Sequence, residues 1–264
     1  GISESVRAAA SLTVIEVFGL LLIIWACRDE LTDLPEQTEA LLPPMEYAVV
    51  AGIMLGAFLA FFAFIGFEDM VNIAEEVKYP QRNLPAAILL ALLIATLIYA
   101  LVAIVAVASV DVETLVASKA PLADVLAATS SINPKTISFI SMIAIVNGAL
   151  IQLIMASRLF YGMAKKGWLW PRLSRVDART QTPVAATVLV VMITLGLALW
   201  FPLEALARGT SYLVLIVFAL VNAALVMIKR SRPAPEGVLK NPLWVPATGF
   251  ITCTGLVVFQ LLTA

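Results

Sequence analysis

Phe61 to Pro85 reads FFAFIGFEDMVNIAEEVKYPQRNLP, and the arrangement of this stretch decides the fold. An uncharged run, Tyr47 to Phe67, meets the carboxylate pair Glu68 and Asp69 and then continues with amphipathic spacing. Met70, Val71, Ile73, Ala74 and Val77 recur at intervals of three and four, with Asp69, Asn72 and Glu76 on the opposite side. One helix from Glu46 to Lys78 would measure roughly 50 Å at ~1.5 Å per residue, against ~30 Å of hydrocarbon. The spacing predicts two half-helices joined at membrane depth, with Gly66 supplying backbone freedom and Glu68-Asp69 heading the second half. The competing reading is a span that ends near Phe67, its two carboxylates capping a short interfacial helix.

The first reading carries a chemical consequence. A helix broken at membrane depth leaves N–H and C=O groups that only protein or a water-filled cavity can satisfy. Such groups, and the dipoles of the half-helices, bind substrates and coupling ions in secondary transporters.

Hydrophobic residues make up 61% of the chain and charged residues only 13%, which excludes an ordinary soluble domain. Uncharged runs long enough to span lie between Arg7 and Arg28 (Glu16 excepted), Glu46 and Glu68, Arg82 and Asp111, and Lys135 and Arg158. Others lie between Arg179 and Glu204, between Arg208 and Lys229, and from Asn241 onward. The fold class expected is an all-α integral membrane protein with seven transmembrane spans, the second one discontinuous. Charge placement agrees. With a cytoplasmic N-terminus, thirteen of the seventeen Lys and Arg residues fall on the inner side, and the C-terminus lies outside. Acidic residues such as Asp29, Glu30, Asp33, Glu36 and Glu39 collect on the other side.

The chain has no histidine and two isolated cysteines, Cys27 and Cys253, which suggests neither a metal motif nor a disulfide framework. No cofactor is expected. No basic segment precedes the first apolar run, so it does not read as a signal peptide, and a chain opening on Gly1 reads as a piece of a longer protein.

In order along the chain, the first span, Ala8 to Cys27, carries Glu16 near its middle. An ionisable group there is either a proton carrier or cation partner, or a carboxyl held neutral by burial and a hydrogen bond. Pro80 is expected to stop the second half-helix, and Asn83 with Pro85 to start the next span, Leu84 to Val110. Glu75, Glu76, Lys78 and Arg82 form either a gate or a solvated helix end. An external loop, Asp111 to Lys135, has room for a short helix at Leu122 to Ala128. Asn147 and Gln152 sit inside the span Thr136 to Ser157, lining a cavity or bonding a neighbouring helix. Gly167 is placed to cap that helix, and Trp168 and Trp170 read as interfacial anchors in a basic inner-surface loop. Positive-inside topology accounts for this charge, so nucleic acid is not an expected partner. The last spans are Pro183 to Phe201, Gly209 to Ile228 and Leu243 to Leu262.

These residues also carry a family resemblance. FFAFIGFEDMVNIAEEVKYPQRNLPAAI resembles the sixth-helix region of the amino acid–polyamine–organocation (APC) permeases. ASRLFYGMAKKGWLWPRLSRV with Thr182-Pro183 is similar to the end of their eighth helix and its following loop. GISESVRAAASLTVIEVFGLLLII is similar to the entry into their fifth helix. The resemblance implies a leucine-transporter-type fold of two inverted five-helix repeats, with one transmembrane domain over 1–264. In that scheme 8–27 ends the first repeat, 46–229 is the second repeat and 243–262 is an accessory helix. Helices one to four of the same protein would then be the missing partner.

The resemblance further implies an amino acid permease, not an enzyme, that works as a symporter or antiporter in the cytoplasmic or plasma membrane. Phe62 falls where the family places an aromatic gate. Ala63 and Ile65 fall where main-chain carbonyls take the substrate's ammonium, and Gly66 where the helix unwinds. Glu68 matches an acidic position that couples the pocket to its gates, and Gln152 falls beside the side-chain pocket. Some proton-coupled relatives carry a lysine in helix five, where this chain has Glu16; the sign of the charge is reversed there.

The span count also suggests a seven-helix receptor, which leaves the broken second span unexplained, and an intramembrane enzyme is a third class. A retinal-type seven-helix receptor needs a lysine in the last span, and Leu243 to Ala264 has none. An intramembrane enzyme would have to rest on Glu16 paired with Glu68 or Asp69.

Overall fold

The computed structural model describes residues 2–32, 44–72, 74, 77–231 and 241–263, and among them every regular element is a helix. In chain order these are α1 (Ile2–Ala26), α2 (Arg28–Thr32), α3 (Tyr47–Ala60), a 3₁₀ turn (Phe61–Phe64) and α4 (Asp69–Asn72). They continue with α5 (Pro80–Ser109), α6 (Val112–Ala117), α7 (Pro121–Thr129), α8 (Pro134–Lys165) and a second 3₁₀ turn (Pro171–Ser174). The remainder are α9 (Val184–Trp200), α10 (Leu203–Ser231) and α11 (Trp244–Thr263). The apolar runs coil into helices because hydrocarbon offers the backbone no partner, so N–H and C=O must pair within each segment. The stretch Tyr47–Val71 and helices α5, α8, α10 and α11 are long and apolar enough to cross a membrane. Ala10–Ala26 and Val184–Trp200 are shorter apolar helices.

The chain forms two compact units, one of residues 1–43 and 94–193 and one of residues 44–93 and 194–264. In the first, Ile23, Ala26 and Cys27 of α1 pack with Val105 of α5, Val125 and Leu126 of α7, and Ile137 of α8. Gly19 lets α8 come close: a Cβ there would stand 2.7 Å from Ile140 Cγ2. A second cluster joins Ala164 of α8 to Leu173 of the 3₁₀ turn and Ala186 of α9. In the second unit, α10 and α11 pair along their lengths, and α3 lies against both. Gly249 permits the approach, since a Cβ at that position would stand 2.7 Å from Asn222 Oδ1. Asn222 donates through Nδ2 to the Phe218 carbonyl at 2.8 Å, which fixes its carboxamide within α10.

Several helix ends follow from local chemistry. Asn133 caps α8 by accepting from the Lys135 N–H at 3.0 Å, with Pro134 in the first turn. Gly167, at φ 78°, closes the same helix, as the sequence suggests. The expected helix in the 111–135 loop is α7, and α6 accompanies it, capped by Asp111 accepting from Thr114 N–H.

One boundary differs. α5 begins at Pro80, not at Asn83 or Pro85, and Pro85 lies inside it. Pro80 occupies a first-turn position where a missing N–H costs nothing, and Tyr79 makes the corner at φ 51°. Asn83 reaches back through Nδ2 to the Lys78 carbonyl at 2.6 Å and so belongs to the cap, not to a later start. The amphipathic continuation through Ile73, Glu75 and Glu76 falls outside the described residues, as does the acidic segment 33–43.

The α10–α11 contact yields a test. Gly249→Leu forces Asn222 off its rotamer and costs about 1–3 kcal/mol of stability, read as a lower Tm of the purified full-length protein. In an Asn222→Ala background, Gly249→Ala loses most of its penalty; strictly additive effects would contradict the contact.

Candidate functional site

α3 ends at Ala60, and the next four residues tighten into a 3₁₀ turn that closes with Ile65 N–H bonded to Phe62 C=O at 3.2 Å. Ile65 is extended (φ −66°, ψ 136°) and Gly66 lies at φ 124°, a region closed to residues with a Cβ. The chain then turns, Asp69 and Met70 bonding back to Gly66 and Phe67 at 3.2 Å, and α4 begins. Regular α-helical pairing is therefore interrupted between Phe61 and Glu68, at the position expected from Gly66.

What holds the break is side-chain chemistry. Glu68 folds back and accepts the Gly66 N–H on Oε2 at 2.8 Å, supplying the partner that the helix would have given. α10 braces both flanks through one ring: Phe218 meets Phe61 edge-on at 6.1 Å and Phe67 at 5.5 Å. One turn higher, Tyr212 packs on Phe58 at 4.8 Å. Such aromatic pairs contribute ~0.5–1.5 kcal/mol each beyond their area. Phe62 and Ala63, by contrast, face outward, Phe62 at 40% exposure. An outward aromatic ring beside the break is a chemistry suited to a cation.

The other expected residues belong to the first unit. Glu16 on α1 is half-buried and accepts a hydrogen bond on Oε1 from Asn147 Nδ2 of α8 at 2.7 Å. Asn147 is 4% exposed, so its carboxamide serves the carboxyl and the neighbouring helix at once. Gln152, five residues further along α8, is on an exposed face. Sequence reading named Asn147 but not its partner, and it passed over Phe218, Asn222 and Gln260. Ser211 Oγ and Gln260 Oε1 are buried polar atoms without a hydrogen-bond partner among the described residues. Interior position in an apolar run is the signal that marks them.

Two substitutions probe this geometry. Gly66→Ala, which forces a Cβ into φ 124°, lowers stability by about 1–3 kcal/mol in a thermal melt, while Gly56→Ala, with open space around it, leaves the Tm unchanged. Asn147→Leu strands the Glu16 carboxyl and costs about 1–3 kcal/mol, and adding Glu16→Leu recovers most of it. A double variant as unstable as the sum of the two single changes would contradict the pairing.

Comparison with known proteins points the same way. The family profile described as amino acid permease matches residues 1–264. The chain is 32% identical over 191 residues to the vacuolar cationic amino acid transporter 4 of Arabidopsis thaliana, covering 71% of this chain and 31% of that protein. It is 25% identical over 260 residues to the branched-chain amino acid permease BcaP of Bacillus subtilis (strain 168), covering 97% of this chain and 55% of that protein. Human cationic amino acid transporter 4 is 31% identical over 186 residues, covering 70% of this chain and 29% of its own length. The chain thus spans about half the length, or less, of these curated relatives. Taken with the interrupted helix and the apolar helices around it, these matches establish that the chain belongs to the amino acid permease family.

Proposed function

We propose that this chain is the substrate-binding and gating part of a secondary transporter for amino acids or related amines. Transport proceeds by alternating access, as proton symport or exchange, with no enzymatic step. The observation that carries this reading is the interruption of regular α-helical pairing from Phe61 to Glu68, stabilised by the Glu68–Gly66 contact. A free amino acid brings an ammonium and a carboxylate, each costly to desolvate without partners. In this reading the main-chain carbonyls of Ala63 and Ile65 take the ammonium and Phe62 closes over the substrate. The carboxylate goes to a half-helix N-terminus from the other repeat.

Glu68 has the role of coupling. As a carboxylate it is a strong acceptor for Gly66 N–H; as a carboxylic acid it is a weaker one, so protonation loosens the break. Glu16, bonded to Asn147, is a second proton carrier in place of a lysine cation. The membrane orientation in this scheme has the N-terminal residues in the cytoplasm and Trp244–Thr263 running outward, in keeping with the distribution of Lys and Arg. The two names among the relatives, cationic and branched-chain, set the first substrates to try.

Uptake of radiolabelled lysine and isoleucine by the full-length protein in proteoliposomes tests the proposal. Glu68→Gln, which keeps an acceptor for Gly66 but cannot ionise, is expected to lower uptake at least roughly tenfold and to flatten its pH dependence. Uptake and pH profile equal to wild type would remove Glu68 from the mechanism. Analogues lacking the ammonium should fail to compete; effective competition by them would count against the carbonyl site.

A further inference from the structure

The turn that follows α8 is built to hold a surface of unusual chemistry. Gly167 reverses the chain, with Gly167 and Trp168 N–H bonded to Ala164 and Met163 C=O at 3.0 Å. Leu169 and Leu173 point inward against Phe160, Ala164, Ala186 and Leu189, so the turn is pinned to α8 and α9. The intervening tryptophans are thereby held outward, Trp168 at 68% and Trp170 at 72% exposure. Lys166 Nζ lies 5.3 Å from the Trp168 ring, and Lys165 Nζ lies 5.9 Å from the Tyr161 ring.

From Arg158 to Arg179 the sequence carries six cations and one acid, Asp177. That acid is engaged elsewhere. The backbone N–H groups of Thr180 and Arg179 bond to its carboxylate at 2.9 Å and hold its pKa below the ordinary range. Among the described residues, Lys165, Lys166, Arg172 and Arg175 take part in no ion pair.

We propose that the turn from Lys165 to Arg175 binds the headgroup of an anionic phospholipid. Two outward indoles on a pinned turn set the depth at the bilayer interface, where amphipathic rings settle. The four cations at that depth meet phosphodiester oxygens, Arg172 and Arg175 through paired N–H donors and the lysines as point charges. The cation–π contact of Lys166 holds it beside Trp168, one of the rings that enter the interface. This proposal rests on membrane insertion alone and stands or falls independently of amino acid transport.

The test uses the full-length protein in nanodiscs of phosphatidylcholine containing phosphatidylglycerol, with lipid retained after delipidation counted by mass spectrometry. Wild type is expected to retain phosphatidylglycerol in preference to phosphatidylcholine. The Lys165→Gln/Lys166→Gln/Arg172→Gln/Arg175→Gln variant, with an unchanged circular dichroism spectrum, should lose that preference by roughly tenfold or more. Equal preference in the two proteins overturns the site. Should the variant misfold, spin-labelled lipids on wild type decide. The immobilised fraction of phosphatidylglycerol must exceed that of phosphatidylcholine and fall with added salt. Equal fractions, or displacement of the lipid by a soluble acidic peptide, would overturn the lipid assignment.

Discussion

Backbone polar groups inside hydrocarbon have no solvent to fall back on, and each unpaired one costs several kcal/mol. That constraint drives every long apolar run here into a helix, from Pro80–Ser109 to Trp244–Thr263. It also makes the stretch from Phe61 to Glu68 the informative exception. The chain interrupts regular α-helical pairing there and replaces part of it with one carboxylate, Glu68, bonded to one N–H, Gly66. A break of this kind is tolerable only where something else satisfies the freed groups, which is the physical opening for a polar passenger.

One neighbour holds both flanks of the break. Phe218 on α10 contacts Phe61 before it and Phe67 after it, so the two flanks are fixed against one neighbour while Phe62 and Ala63 stay outward. The close pairing of α10 with α11, through Gly249 against Asn222, gives that neighbour its own support. In the other unit a different solution appears. Glu16 on α1 is bonded by the Asn147 carboxamide, so an ionisable group at helix mid-length takes a partner from α8. Polar atoms inside these helices therefore fall into paired ones, such as Glu16 and Asn147, and buried ones without a partner among the described residues, such as Ser211 Oγ and Gln260 Oε1.

Features that depend on one residue or its near neighbours were legible in the sequence. Gly66 marked the break because the hydrophobic run was too long for a single span and held a carboxylate pair in its middle. Gly167 announced its cap in the same local way. The start of α5 was misread because both Pro80 and Pro85 satisfy the rule for a first-turn proline. The choice between them rests on the Asn83–Lys78 bond and the Tyr79 corner, which are three-dimensional facts. The Glu16–Asn147 pair lies beyond any pattern rule, since 131 residues separate the partners. The same holds for Phe218, whose position in the apolar stretch of α10 says nothing of the two rings it braces. The roles given to Phe62, Ala63, Ile65, Glu68 and Gln152 come from the family resemblance.

Hydrogen–deuterium exchange on the full-length protein in nanodiscs tests the break most directly. Amides at Phe67 and Glu68 should exchange far faster than those of Val50 to Phe58, and a transported amino acid should slow them. Uniform strong protection from Tyr47 through Asn72, unchanged by any amino acid, would mean an unbroken helix and would contradict the account.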